Sequence, residues 1–495
     1  MINKVDLFDL VKLVKDEKIS EQYIKYLINW NEDKQYRHTE IVCLSNLLEL
    51  LNLKKTSYTY GFLFGYSIPQ LNKEMDLLKI TEKYVINIEL KSKDVSEEKI
   101  KKQLLQNKHY LKMLDKRIFQ FTFLSEKKCI YFLNENDELI CNSTDLLLKV
   151  LEGCGETIDI DLNQLYSPGN ILVSPLNSPK KFIDGKYLLT EDQENKKREI
   201  LNKLETIEKE QFIGLTGNAG TGKTLLLYDI AKDLSKMGKV LLIHSGILCN
   251  GHESINKSSL NLKIISAKEA RELDWEKDLE ITYILIDETQ RLYESTFNTI
   301  INLAEEKKLK CIFSFDAKQK LSQSENRYST IENIEKLCET TMYKLSNKIR
   351  TNKEIALFIT CLMDLSKIKE QRKFPNVHIK YENNEEIAVL FAKSIDRQGI
   401  YKYISYTPSQ YNTRLDYQHT YDSTHRVIGQ EFDKVCMIIT NDFYYEGNKL
   451  CSRQHPNPNY IFTKLLYQGL TRVRSELLLI ITSKSVLFEI LKIVK

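Results

Sequence analysis

Short, almost uninterrupted apolar runs punctuate the second part of this chain: QFIGLT (211–216), VLLIHS (240–245), ITYILI (281–286), CIFSF (311–315) and VCMIIT (435–440). Runs of this length bounded by turn residues read as strands buried on both faces, as in parallel sheets. Between the first two, Leu225 to Met237 carries helical apolar spacing, so the order is strand, helix, strand. The first third has a different order. A helix pattern at His38–Leu53 precedes three predicted strands, Tyr60–Tyr66, Glu74–Ile80 and Tyr84–Lys91. A helix over Glu97–Met113 then leads to a strand at Ile118–Leu124, followed by a strand at Cys129–Leu133 and a helix at Thr144–Glu152. Residues 1–36 read as amphipathic helices, a lid or a packing layer.

Prolines mark the division between these parts. Ser167-Pro-Gly-Asn170 and Ser174-Pro-Leu-Asn-Ser-Pro179 lie in a loop-rich passage, predicting a linker at 153–185 between a domain at 1–152 and two further α/β domains at 186–340 and 341–495. Several cores are expected in 495 residues. Lys plus Arg (72) nearly balance Asp plus Glu (68), so the net charge of +4 neither demands nor excludes a nucleic-acid partner. Ten cysteines with no C-x-x-C pair argue against a zinc ribbon or a disulfide framework. The amino terminus alternates charge with apolar residues and no stretch approaches a membrane span, so a cytoplasmic protein with no membrane partner is expected.

The chemistry centres on Gly217-Asn-Ala-Gly220-Thr-Gly222-Lys223-Thr224, which follows a predicted strand and opens a helix. In such a turn backbone N–H groups point at phosphates, the lysine reaches the terminal phosphates, and the threonine hydroxyl can ligate Mg²⁺. Asp287-Glu288 ends a later apolar strand, where Asp287 would hold Mg²⁺ and Glu288 would act as general base on the attacking water. Upstream, Thr190 and Gln193 form a capping-box pattern at a helix start.

Further stretches in the same order resemble the motifs of superfamily 1 helicases. Leu189-Thr-Glu-Asp-Gln193 resembles the Q motif that reads adenine, and Val240–Ser245 stands at the place of motif Ia without its usual aromatic. Asp316-Ala-Lys-Gln319 resembles motif III, with Phe315 in place of its glycine and Gln319 as a γ-phosphate sensor. Leu345–Arg350 and Gly469–Arg474 resemble motifs IV and VI, which implies arginine fingers at Arg350 and Arg472. His425–Val435 resembles motif V, with Gly429 in a close turn and Glu431 reaching the ribose or bridging to nucleic acid. The region from Gly185 onward is most similar to the compact Schlafen group 3-like helicase domain, implying two RecA-like domains. The short spans from Ser245 to Ile281 and from Arg350 to His425 leave no room for large accessory insertions. Translocation or an ATP-gated switch therefore stands beside duplex unwinding.

In the first domain, Asp76 lies on the second strand, and Glu89 and Lys91 share one face at the end of the third. A carboxylate pair on adjacent strands can hold a divalent metal, and a lysine beside it can stabilise a developing phosphorane charge. The order helix, three strands, helix, strand with these residues resembles the PD-(D/E)xK nucleases, although Met75 replaces the usual proline before the Asp. The resemblance implies an extra metal-binding Glu in the first helix, Glu40 or its competitor Glu49. It also implies a Q-x-x-x-Y pair at Gln106 and Tyr110, as in the RecB-like branch.

Together these resemblances imply a fusion: an α/β PD-(D/E)xK nuclease-like domain followed by a minimal superfamily 1 helicase core of two parallel sheets. The implied activity is ATP-dependent DNA translocation or unwinding with Mg²⁺-dependent cleavage, Mn²⁺ being able to substitute at the nuclease site. The setting, by analogy, is bacterial anti-phage defence or DNA repair. RNA is the open alternative substrate, and a protein partner or a second copy stays open. The rival reading is an ATP-dependent nucleic-acid sensor or translocase whose first domain is a non-catalytic binding or partner-recruiting module.

Overall fold

The computed structural model describes residues 3–28, 37–68, 73–166, 173–206, 211–218, 220–275, 281–317, 329–345, 352–368, 373–406, 422–453 and 460–494. Gln319 and Arg350 lie outside the described residues. The chain forms two compact units, Met1–Ile171 and Leu172–Lys495. No helix among the described residues is long and apolar enough to cross a membrane.

The first unit is built on one seven-stranded sheet of β1 (Val5–Asp6), β2 (Tyr60–Ile68), β3 (Lys73–Ile80), β4 (Tyr84–Lys91), β5 (Arg117–Leu124), β6 (Cys129–Leu133) and β7 (Leu139–Ile140), in that spatial order. All neighbours are antiparallel except β4 and β5, which are parallel. A parallel pair needs a crossover, and the helix Glu97–Leu111 supplies it. Alternation divides the sheet into two faces. Ile86, Ile88 and Leu90 of β4 join Phe62, Phe64 and Phe121 in a core closed by Ile41, Leu44 and Leu48 of the helix His38–Leu50. Leu7, Leu10, Ile24 and Ile28 are buried in this same core, so the amino-terminal helices are a packing layer. On the opposite side the crossover helix packs Ile100 and Leu104 against Leu124, Cys129 and Tyr131.

The second unit holds two parallel sheets. The larger orders its strands as β10 (Leu262–Ser266), β9 (Val240–His244), β11 (Tyr283–Asp287), β12 (Lys310–Phe315), β8 (Gln211–Gly217) and β13 (Met342–Leu345). The smaller orders them as β14 (Val377–Tyr381), β19 (Val473–Ile481), β16 (Phe432–Ile439) and β15 (Lys402–Tyr403). A separate hairpin joins β17 (Phe443–Glu446) and β18 (Lys449–Ser452). Because the strands of the larger sheet run one way, β8, β9, β11 and β12 all end on the same carboxyl edge. There Asp287 pairs in register with His244, and Phe315 with Thr216. Behind that edge the helix Lys223–Leu234 is buried on nearly all sides.

The proline-marked passage is structured in its second half. Val173, Leu176 and Phe182 are buried in the core around the Lys223–Leu234 helix, and Lys232 Nζ donates to the carbonyls of Phe182 and Ile183, both at 2.8 Å. Leu176 seats its backbone on Gly251, where an added Cβ would stand 2.1 Å from the Leu176 carbonyl oxygen. Gly251→Ala is therefore expected to lower the stability of the second unit by roughly 1–3 kcal/mol through overpacking. Urea denaturation checks this, with Gly153→Ala, whose added methyl meets nothing within 4 Å, as the neutral control.

Candidate active sites

In the second unit, β8 delivers the chain into the glycine-rich turn. Gly220 (φ +75°) and Gly222 (φ +82°) occupy left-handed backbone that a side chain would strain, which explains glycine at both positions. Lys223 Nζ donates to the carbonyls of Gly217 (2.7 Å) and Asn218 (3.1 Å) and stands 3.6 Å from Asp316 Oδ2. The ammonium is thus held inside the loop by carbonyls. Gln193 braces the same loop: its Oε1 accepts from Thr190 N–H in a completed capping box, and its Nε2 donates to the carbonyls of Thr221 (3.2 Å) and Gly222 (3.4 Å). The capping pattern and the nucleotide-loop contact belong to one side chain, and in this structure both ends of its amide are engaged.

The carboxylates come from β11. Thr224 Oγ1 donates to Asp287 Oδ2 at 3.2 Å, and Glu288 N–H donates to Asp287 Oδ1 at 3.1 Å. A hydroxyl and a carboxylate this close, with a lysine in the adjoining turn, are the donor set that magnesium and a triphosphate need, so the residues fit that pair. Glu288 sits in left-handed backbone (φ +56°), a strained position for a non-glycine residue. Burial alone would push its carboxyl up, but Arg291, Lys223 and Arg472 outweigh that and hold it below the ordinary range. Its carboxyl is therefore held toward the charged form. Gln290 links it onward, donating from Nε2 to Glu288 Oε2 (2.6 Å) and accepting Asp316 N–H at Oε1 (3.2 Å).

The smaller sheet contributes Arg472, whose charge reaches Glu288 and whose Nε and Nη1 donate to the carbonyls of Gln468 (3.2 Å) and Gln430 (3.4 Å). Glu431 forms a buried ion pair with Arg474, Nε to Oε2 at 3.2 Å, and its N–H donates to Asn177 Oδ1 at 3.1 Å. Gly429 lies in a left-handed turn (φ +74°), and its carbonyl accepts from Ser174 Oγ at 3.4 Å. The passage 174–177 thus ties the Gly429–Glu431 turn to the core beneath the phosphate loop.

The first unit holds a second cluster of charge. Lys91 Nζ lies 3.9 Å from Asp76 Oδ2 and 3.6 Å from Glu89 Oε2, and Asp76 Oδ2 also accepts the Leu90 N–H at 2.8 Å. Glu89 is pushed up to about 8, first by burial and then by the Asp76 charge, and Asp76 is raised by its own burial. Glu40, raised by burial and then by Asp76, pairs with Arg37 at 2.9 Å. Glu49 is exposed, so of the two helix carboxylates Glu40 is the one that senses the pair.

Three amides surround Glu89: Asn87 Nδ2 (3.3 Å), Asn107 Nδ2 (2.7 Å) and Gln103 Nε2 all donate to its oxygens. Gln103 and Asn107 are one helical turn apart on the crossover helix. Tyr110, further along the same helix, is buried, and its carbonyl accepts from Tyr166 Oη at 3.0 Å. Among the described residues no group of three or more His, Cys, Asp and Glu side chains is arranged to hold a metal. The acid pair nevertheless fits a hydrated divalent cation: the carboxylates repel each other in a desolvated site. Asn87 Oδ1, Asn107 Oδ1 and Thr122 Oγ1 around them are also buried without hydrogen-bond partners among the described residues.

Residues 210–398 match the family model described as Schlafen group 3, DNA/RNA helicase domain. Among solved structures, a protein of Streptococcus pyogenes serotype M3 provisionally described as a primosome component is 14% identical, aligning 38% of this chain with 90% of that one. Its TM-score of 0.21 is too low to establish a shared fold. No curated protein is similar enough to count as a match. The chain thus carries, across the larger sheet and into the smaller one, a segment similar to helicase-type ATPase domains.

Proposed function

We propose that this protein is an ATP-driven nucleic-acid translocase whose first unit cleaves phosphodiester bonds. The observation that carries the motor is the convergence of Lys223, Thr224, Asp287, Glu288 and Arg472 within one compact unit, drawn from two parallel sheets. Lys223 would exchange its loop carbonyls for the β- and γ-phosphates, Glu288 would accept the proton of the attacking water, and Arg472 would neutralise charge on the leaving phosphates. Arg350 and Gln319 are proposed for the second finger and the γ-phosphate sensor on the motif resemblance alone. Gly429, Glu431 and Gln193 then shape the nucleotide pocket rather than react. Hydrolysis that depends on an arginine from the second sheet ties turnover to the spacing of the two sheets, which is how a strand is moved.

In the first unit Asp76 and Glu89, with Glu40 in electrostatic reach, would hold Mg²⁺ or Mn²⁺, which when bound polarises the scissile phosphate and lowers the pKa of water. Lys91 would stabilise the developing charge on phosphorus. DNA is the favoured substrate, and the pairing of translocation with cutting suits anti-phage defence or DNA repair. The test follows phosphate release and cleavage on circular and linear, single- and double-stranded DNA and RNA, with and without ATP, Mg²⁺ and Mn²⁺. Nucleic-acid-stimulated hydrolysis with metal-dependent cutting is expected. Hydrolysis without cutting on any substrate would make the first unit a binding module, and absence of hydrolysis would remove the motor.

A further inference from the structure

His244 ends β9, level with Asp287 on the neighbouring strand, and Ser245 N–H donates to the Asp287 carbonyl at 3.1 Å. Its side chain is fully buried, and neither Nδ1 nor Nε2 has a hydrogen-bond partner among the described residues. A buried imidazole in an ordinary core has at least one nitrogen satisfied, so two orphans need a reason. Nδ1 stands 3.6 Å from Asp287 Oδ2, just outside bonding distance of the oxygen that already accepts from Thr224. An ionised carboxylate oxygen takes two donors.

The surroundings hold the ring in place. His252 packs against it with centroids 4.5 Å apart, and the Cys249 N–H donates to His252 Nδ1 at 2.9 Å, which fixes that second ring. The Gly429 turn also comes so close that an added Cβ there would lie 3.5 Å from His244 Cε1 and 3.7 Å from Thr224 Cγ2. His244 is therefore close both to the carboxylate that would hold magnesium and to the Gly429 turn ahead of β16.

We infer that His244 is a positioning residue for Asp287: its Nδ1–H becomes the second donor to Asp287 Oδ2 when the phosphate loop is loaded, fixing the carboxylate plane that faces the metal. The inference rests on the reading of the loop as a magnesium-nucleotide site and adds to it a partner for Asp287 from the Val240–Ser245 stretch, in a role the motif resemblance does not assign. Partners that orient a metal ligand through a hydrogen bond set metal affinity without touching the metal. His244 should thus govern the magnesium requirement of nucleotide binding and not the binding of free nucleotide.

The experiment measures binding of a fluorescent ATP analogue to the full chain while Mg²⁺ is titrated. Wild type is compared with His244→Leu and His244→Phe, which remove the donor at two different volumes, and with His244→Asn, whose amide nitrogen occupies the place of Nδ1. Thermal melting identifies which donor-free variant folds as wild type does. The donor-free variant is expected to raise the half-saturating Mg²⁺ concentration roughly tenfold, with metal-free binding unchanged and His244→Asn close to wild type. The inference is overturned if the folded donor-free variant keeps the wild-type requirement, or if His244→Asn shifts it as far as the donor-free variant does. If wild type binds no nucleotide at any Mg²⁺ concentration, the parent reading of the loop falls and this inference with it.

Discussion

Lys223→Ala is expected to lower nucleoside-triphosphate hydrolysis by roughly 10²–10³-fold, the usual cost of removing one preorganised donor from a developing anion. The lysine is already inside the loop, held at 2.7 and 3.1 Å by the carbonyls of Gly217 and Asn218 and facing Asp316 at 3.6 Å. Those contacts are weak placeholders for phosphate oxygens, which carry full charge. Removing the side chain leaves the loop backbone intact, because its bends are set by Gly220 and Gly222 and its brace by Gln193. Stability should therefore change by less than about 1 kcal/mol, and circular dichroism melting separates a catalytic loss from a folding loss. Phosphate release at saturating ATP is the deciding readout. A rate equal to wild type would show that the loop does not handle the reacting phosphates.

The parallel strands of the second unit are legible in the sequence because a strand buried on both faces has no polar alternation to confuse it. VLLIH and YILID are such strands, and the candidate site residues stand at their carboxyl ends. His244 was visible in the same way, as a polar ending on an apolar run, but its importance depends on lateral register with Asp287, which one strand cannot reveal. The crossover helix shows a different limit. The motif reading points to Gln106 and Tyr110, while the geometry gives the contacts of Glu89 to Gln103 and Asn107. The buried stripe of that helix runs Ile100, Leu104, Asn107, Tyr110 and Leu111, so an asparagine in an otherwise apolar stripe is the available signal for Asn107. Prolines hid the third case. They announce a linker across 153–185, yet Val173, Leu176 and Phe182 fill the core of the second unit, and apolar residues spaced irregularly between turns have no periodicity to read.

Glu89→Gln should slow cutting severely while leaving ATP hydrolysis within about twofold of wild type, because the two clusters of charge lie in separate compact units. A metal-held charge contributes several kcal/mol, and at about 1.4 kcal/mol per decade its loss lowers cleavage roughly 10²–10³-fold. Glutamine is preferred to alanine here. Alanine would leave the Gln103 and Asn107 amides aimed at each other across an empty space, at a cost of roughly 1–3 kcal/mol for each unsatisfied donor, whereas glutamine keeps one carbonyl oxygen for them. Gln103→Leu and Asn107→Leu, each of which removes an amide donor to Glu89, should lose less, roughly 10–100-fold. Single-turnover cleavage over a Mn²⁺ titration measures all three. The ranking discriminates: if the two leucine variants lose as much as Glu89→Gln, the amides and not the carboxylate hold the reacting groups. If Glu89→Gln cuts as wild type does, the buried acid pair of β3 and β4 is a feature of the fold without a part in cleavage.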